Sequence, residues 1–247
     1  MADWLKTNVV EKVQWNERLF SLYMQPGLKD FIAGQFVRVG LDTDGERIAR
    51  PYSLVNKPGD DRLEIYFNIV PEGPLSSRLA ALEAGDEIYV TDRANGFLTI
   101  DEVPKSRHLW LLATGTGVGP FLSILKTQQP WQRFEKIVLA YSVRSVSELS
   151  YQQQISELQQ QNPQQLVYIP FVTREAMPGA MQQRIPQSIE DGSLEQETGL
   201  IINEKDSHVM MCGNSEMIKS VTRCLEERGM RKHRRREPGH ITTEKYH

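Results

Sequence analysis

From His108 onward the chain carries four near-continuous apolar runs, HLWLLAT, KIVLAYSV, QLVYIPFVT and HVMMCGN, and no other feature restricts its fold as strongly. A strand with one wet face alternates apolar and polar residues. A strand apolar at both parities must be covered on both faces, which is the condition of a parallel sheet with helices on either side. The intervening segments GPFLSILKTQQ, SELSYQQQISELQQQ, PGAMQQRIPQSIE and SEMIKSVTRCLEERG supply those helices. The glutamine-rich stretch 152–165 has one modest apolar stripe, Leu149, Ile155 and Leu158, and reads as a solvated helix face. Residues 102–247 are therefore predicted to form a doubly wound parallel α/β domain.

The first part has another rhythm. Short β-branched and aromatic segments (NVVEKVQW, LFSLYMQP, QFVRVGL, LEIYFNIV, DEIYVTD) are separated by turns such as Pro26-Gly27, Asp44-Gly45 and Ala84-Gly85-Asp86. Closely spaced strands of this kind predict a small antiparallel β-barrel over residues 1–101, interrupted by one helix at SSRLAALEA. The polar link DEVPKSR joins the two rhythms.

Composition removes several classes of function. Cys212 and Cys224 are the only cysteines, too few for a disulfide scaffold, an iron–sulfur cluster or a cysteine zinc site. The formal charge of -3 speaks against general nucleic-acid binding. No apolar run reaches the length of a membrane span, and MADWLKTNVVEKVQW lacks the features of a signal peptide, so a cytoplasmic protein is expected. One asymmetry stands out: residues 228–236 hold six cations and a histidine.

Three motifs carry chemistry. In RPYS, Arg50 offers a fork of donors for phosphate, Pro51 keeps the backbone extended, and Tyr52 offers a flat face on which a conjugated ring can stack. Arg50 and Tyr52 would share one face of a strand, and Ser53 could reach a polar atom of the stacked ring. In PEGPLSSRL, Gly73 precedes a helix start whose free amides, with Ser76 and Ser77, suit an anion; Ser76 as a plain N-cap is the structural alternative. In ATGTGVGPF, Gly115, Gly117 and Gly119 lie between a buried strand and a helix, although Pro120 breaks the full dinucleotide fingerprint. A second loop of this type follows HVMMCGN.

Taken together, RPYS, VPEGPLSSRL, ATGTGVGPFLSIL, MCGNSEMI and the terminal EKYH resemble the bacterial ferredoxin (or flavodoxin)–NADP reductases, in order and spacing over the whole chain. The resemblance implies an FAD-binding barrel followed by an NADP-binding α/β domain. It makes Arg50, Pro51, Tyr52, Ser53 and Tyr66 flavin contacts, and gives Gly73, Pro74, Leu75 and Ser76 the FAD phosphates. Thr116 and Tyr246 would touch the flavin, the tyrosine from a C-terminal segment that returns to it, and His247 stands where an aromatic partner of adenine is expected. Ser53, Cys212, Glu244 and Tyr246 become the catalytic candidates, with Cys212 positioning the nicotinamide rather than attacking it. Val143, Arg144, Thr173, Arg174, Arg184, Cys212, Gly213 and Asn214 become NADP contacts, the three arginines standing where strand ends line the crevice and favouring NADP over NAD.

The electron partner implied is ferredoxin or flavodoxin. Its docking is expected on the basic run formed by Arg231, Lys232, His233, Arg234, Arg235 and Arg236, and the enzyme is expected to be a monomer. A flavin reductase or oxygenase-component reductase would share every nucleotide motif. A non-catalytic nucleotide sensor would be expected to lose Ser53, Cys212 or the terminal aromatic, and all of these are present.

Overall fold

The computed structural model describes residues 3–28, 30–43 and 45–246; Asp44 of the expected turn and His247 lie outside them. The chain divides into two compact units. One holds the residues up to Thr99 together with Gly119–Thr127; the other holds Ile100–Val118 and the residues from Gln128 on.

The first unit is antiparallel. Its strands β1 (Trp4–Gln14), β2 (Leu19–Gln25), β3 (Phe36–Thr43), β4 (Glu46–Ser53), β5 (Leu63–Asn68) and β6 (Glu87–Thr91) form a sheet in the order β4-β3-β6-β1-β2-β5. The sheet curls until its outer strands meet: Leu54 bridges Ile65, and the Val55 N–H donates to the Glu64 carbonyl at 2.9 Å. Inward residues of alternate parity, among them Leu22, Met24, Val37, Val39, Ile65, Phe67 and Val90, fill the interior. Pro51 is accommodated because β4 is an outer strand, where a missing N–H costs no ladder bond. The helix α1 (Ser76–Ala81) interrupts the sheet where SSRLAALEA predicts it.

A second helix, α2 (Val118–Leu125), groups with this antiparallel unit although it follows the first strand of the parallel sheet in the chain. Phe121, Leu122, Ile124 and Leu125 are all fully buried, so it has no wet face.

In the second unit β7 (His108–Thr114), β8 (Lys136–Val143), β9 (Leu166–Val172), β10 (Ser207–Gly213) and β11 (Ile241–Lys245) form a parallel sheet in the order β11-β10-β7-β8-β9. The four apolar runs are its inner strands and β9, and every residue of β10 is buried. The fifth strand, ITTEK, was not anticipated as a strand. Helices α3 (Gln129–Arg133), α4 (Gln152–Gln161), α5 (Ile185–Glu190), α6 (Ser193–Thr198) and α7 (Ser215–Glu227) complete the unit. Of PGAMQQRIPQSIE only the second half is helical, because Pro186 occupies the first turn and Arg184 is still extended. Helix α7 starts at Asn214, whose side chain accepts from the N–H groups of Glu216 and Met217, and it buries Met217, Ile218, Val221, Cys224 and Leu225.

At the start of β10 and β11, His208 is only 1% exposed and its Nε2 lies 2.9 Å from Thr242 Oγ1. Burial, followed by the neighbouring charges of His233 and His240, lowers its pKa from 6.5 to about 3. The unfolded chain therefore binds a proton more readily than the folded one, so folding stability is lost as pH falls below 6.5 toward 3. The loss from this ring is on the order of 5 kcal/mol at the acid limit. A His208→Gln variant should flatten the acid limb of stability against pH in urea titrations; an unchanged slope would reject the assignment.

Candidate nucleotide-binding site

On the first unit, β4 places Arg50 and Tyr52 on one face and Ser53 on the other. The Arg50 guanidinium is exposed and donates to the Ala49 carbonyl at 2.8 Å. Tyr52 is half-buried, edge-on to Phe67 with ring centres 5.9 Å apart, and burial pushes its hydroxyl up to about 12, so it stays protonated. Ser53 is buried, as is Tyr66, which meets Trp15 edge-on at 6.4 Å. Ser53 and Tyr66 adjoin the Leu54–Ile65 bridge, each one residue from it, and so lie on the face opposite Tyr52.

The PEGPL loop is a closed turn. The Gly73 N–H donates to the Val70 carbonyl at 3.0 Å, and a Cβ on Gly73 would stand 3.0 Å from that oxygen. The Val70 N–H donates to Ser76 Oγ at 2.9 Å. Ser76 therefore secures the loop instead of capping the helix; the cap position belongs to Leu75, with Pro74 exposed before it. The Ser76 hydroxyl keeps its own proton to donate, and the first-turn amides of α1 have no helical acceptor.

On the second unit the chain reverses direction across the sheet between β7 and β10, and open α/β sheets take ligands at such a switch point. Two loops cross there. A Cβ on Gly117 would lie 2.3 Å from the Cys212 carbonyl oxygen, and one on Gly213, whose φ is 128°, would lie 2.2 Å from Thr114 Oγ1. These glycines permit backbone to meet backbone, a role distinct from the close approach of a ligand suggested by the motif. Thr114 Oγ1 also accepts the Asn214 N–H at 2.7 Å. The motifs pass over Thr114; its place at the end of a buried strand, just before the first glycine, is the signal that could have singled it out.

The C-terminal strand brings the remaining candidates to this end of the sheet. Glu244 pairs with Cys212 across β10 and β11, the Tyr246 N–H donates to the Gly213 carbonyl at 3.1 Å, and the Tyr246 hydroxyl donates to the Thr116 carbonyl at 3.3 Å. Cys212 is fully buried; burial, and then Glu244, push its thiol well above its usual range, so it is a neutral thiol, not a thiolate nucleophile. The Asn214 side chain is committed to capping α7, its N–H to Thr114 Oγ1 and its carbonyl to the Ile218 N–H, so the residue is exposed with its backbone groups already bonded.

Val143, Arg144, Thr173 and Arg174 stand together at the ends of β8 and β9: the Thr173 hydroxyl donates to the Val143 carbonyl at 3.2 Å, and the Arg174 N–H to the Arg144 carbonyl at 2.9 Å. Arg184 precedes α5. Arg144, Arg174 and Arg184 are exposed, and none of their guanidinium groups is in an ion pair among the described residues.

Comparison with known proteins settles the family. Residues 5–92 match the oxidoreductase FAD-binding domain and residues 111–223 the oxidoreductase NAD-binding domain. The flavodoxin/ferredoxin–NADP reductase of Escherichia coli is 45% identical over 247 residues, covering all of both chains. The chain belongs to the flavodoxin/ferredoxin–NADP reductase family. The ferredoxin–NADP reductase of Pseudomonas aeruginosa is 36% identical, covering 99% of this chain and 98% of its own. Among solved structures, a ferredoxin–NADP reductase from Neisseria gonorrhoeae with bound FAD and NADP superposes with a TM-score of 0.94, at 31% identity and 99% coverage of each chain. Like other members of the flavodoxin/ferredoxin–NADP reductase family, this chain is an oxidoreductase.

The basic run lies at the start of β11, where Lys232 bridges Ile241, and so at the end of the parallel sheet opposite Cys212 and Tyr246. Arg235 is held by Glu102 at 2.6 Å, Lys232 by Glu226, and Arg231 and Arg234 by Glu237. Arg236 is in no ion pair among the described residues.

Proposed function

We propose that the chain binds FAD on its antiparallel unit and NADPH at the C-terminal strand ends of its parallel unit, and passes electrons between NADPH and ferredoxin or flavodoxin. The observation that carries this reading is the set of three exposed arginines, Arg144 and Arg174 just after β8 and β9 and Arg184 just before α5, whose guanidinium groups are in no ion pair among the described residues and suit the phosphates of NADP. The residues of the first unit fit FAD: an exposed arginine and a protonated tyrosine on one strand face, then a tight turn feeding the open amides of α1. Bound FAD supplies the exchange between a two-electron hydride and single electrons.

The protein's residues bind and orient. Arg50 neutralises phosphate, Tyr52 and Tyr66 offer ring faces, and Gly73, Pro74, Leu75 and Ser76 shape the phosphate loop. The Ser53 hydroxyl meets the reactive edge of the flavin ring. Arg144, Arg174 and Arg184, with Val143 and Thr173, hold the adenosine and phosphate parts of NADP. Cys212, Gly213 and Asn214 stand at its nicotinamide end beside Glu244 and Tyr246, where the buried Cys212 thiol is neutral, small and polarizable.

The partners are ferredoxin and flavodoxin, typically acidic proteins. Near residues 231–236 five cations face three carboxylates, so a positive excess persists that can attract such partners over distance. Its place at the far end of the sheet favours steering over a contact surface.

The purified protein should be yellow, release FAD on denaturation, be bleached by NADPH, and then reduce ferredoxin or flavodoxin. Absence of flavin, or a flavin indifferent to NADPH, would refute the reading.

A further inference from the structure

A buried charged cluster of the first unit is bonded to the residues that follow the RPYS strand. Glu64, in β5, is 4% exposed; its Oε1 accepts from the Tyr23 hydroxyl at 2.9 Å, and its Oε2 lies 3.5 Å from Lys126 Nζ. Lys126 extends the last turn of α2, its N–H donating to the Leu122 carbonyl at 3.1 Å. Its Nζ also donates to the Val55 carbonyl at 2.8 Å. Three residues earlier, on the same helix face, Ser123 Oγ donates to the Asn56 carbonyl at 2.6 Å. The Asn56 side chain returns to accept the Glu64 N–H at 2.9 Å.

The consequence is a backbone held at four points just after Ser53. The Leu54 N–H donates to Gln35, the Val55 N–H to Glu64, and the Val55 and Asn56 carbonyls accept from Lys126 and Ser123. A buried ion pair is an expensive way to obtain stability, since its desolvation cost offsets most of the attraction. Its geometry here has a narrower use: the carboxylate holds the ammonium against one particular carbonyl, two residues beyond Ser53.

We propose that Lys126 is a positioning residue for Ser53, acting through the Val55 carbonyl, with Glu64 fixing the ammonium and Ser123 holding the next carbonyl. This rests on the reading of Ser53 as the hydroxyl at the flavin's reactive edge. The Lys126→Met variant should slow flavin bleaching by NADPH about tenfold at saturating coenzyme, with NADPH affinity unchanged. It should also lower the thermal midpoint of the apoprotein, because the buried Glu64 carboxylate loses the ammonium beside it. Adding Glu64→Gln removes the buried carboxylate charge, so the double variant should regain the midpoint while bleaching stays slow.

Recovery of the rate together with the midpoint would show a purely structural ion pair and overturn the proposal. Combination with Ser53→Ala separates the two readings. Lys126→Met should add less than about twofold to the defect of Ser53→Ala, since both act on one hydroxyl. A slow Ser53→Ala with a fully additive Lys126→Met would overturn the positioning role alone. A Ser53→Ala variant that bleaches at the normal rate would remove the role of Ser53, and the proposal with it.

Discussion

Replacing Arg174 and Arg184 together with alanine should lower kcat/KM for NADPH by roughly 10²- to 10⁴-fold while leaving NADH turnover nearly unchanged, because a charged hydrogen bond to phosphate contributes about 1.5–3 kcal/mol. NADH lacks the 2'-phosphate and so has nothing to lose at these positions. Both side chains are exposed and in no ion pair among the described residues, so their removal strands no buried charge, and the thermal midpoint should hold. Ferricyanide reduction with each coenzyme checks this without a protein partner. Equal losses with NADPH and NADH would show that the arginines act on the fold or on the shared pyrophosphate.

The second large effect requires no ligand. The Gly117→Ala Cβ would stand 2.3 Å from the Cys212 carbonyl oxygen, 2.6 Å from its carbon and 2.9 Å from the Gly213 nitrogen. All three are backbone atoms, so no flexible side chain can move aside. One loop must leave the switch point, and a loss of about 3 kcal/mol or more is expected, at the upper end of overpacking. Gly115→Ala is the control: its φ is 53° and nothing lies near its added Cβ, so it should lose only the left-handed penalty of about 1–2 kcal/mol. Urea midpoints measure both, and equal losses would mean that the crossing is slack.

Much of this architecture was legible because the runs that form β7 to β10 are apolar at both parities, a pattern with few solutions. β11 was not legible: only Ile241 of its five residues is buried, and an outer strand held on one side resembles a tail. The allegiance of α2 was equally hidden, since an all-apolar helix shows that it is buried without showing by what. Arg144 and Arg174 could be read as strand-end residues from spacing alone. The basic run could not, because Glu102, which holds Arg235, is 133 residues away in sequence. Ser76 misled as a cap candidate because a serine before an apolar run signals a helix start, whereas its hydroxyl accepts from the loop instead.

The way the sheets end bears on how the chain tolerates crowding. Unpaired strand margins are templates for a neighbouring chain's backbone. In the first unit the margins are sewn to each other at Leu54 and Ile65. In the second, β9 carries Pro170, and residue Met181 takes the bridge to Phe171 while donating its N–H to Pro170. The other margin, β11, is five residues long with exposed Thr243 and Lys245. Little ladder is left open for a passing strand, so concentrated folded protein should resist β-templated aggregation, and the vulnerable moment is synthesis, before Ile65 has emerged to meet Leu54.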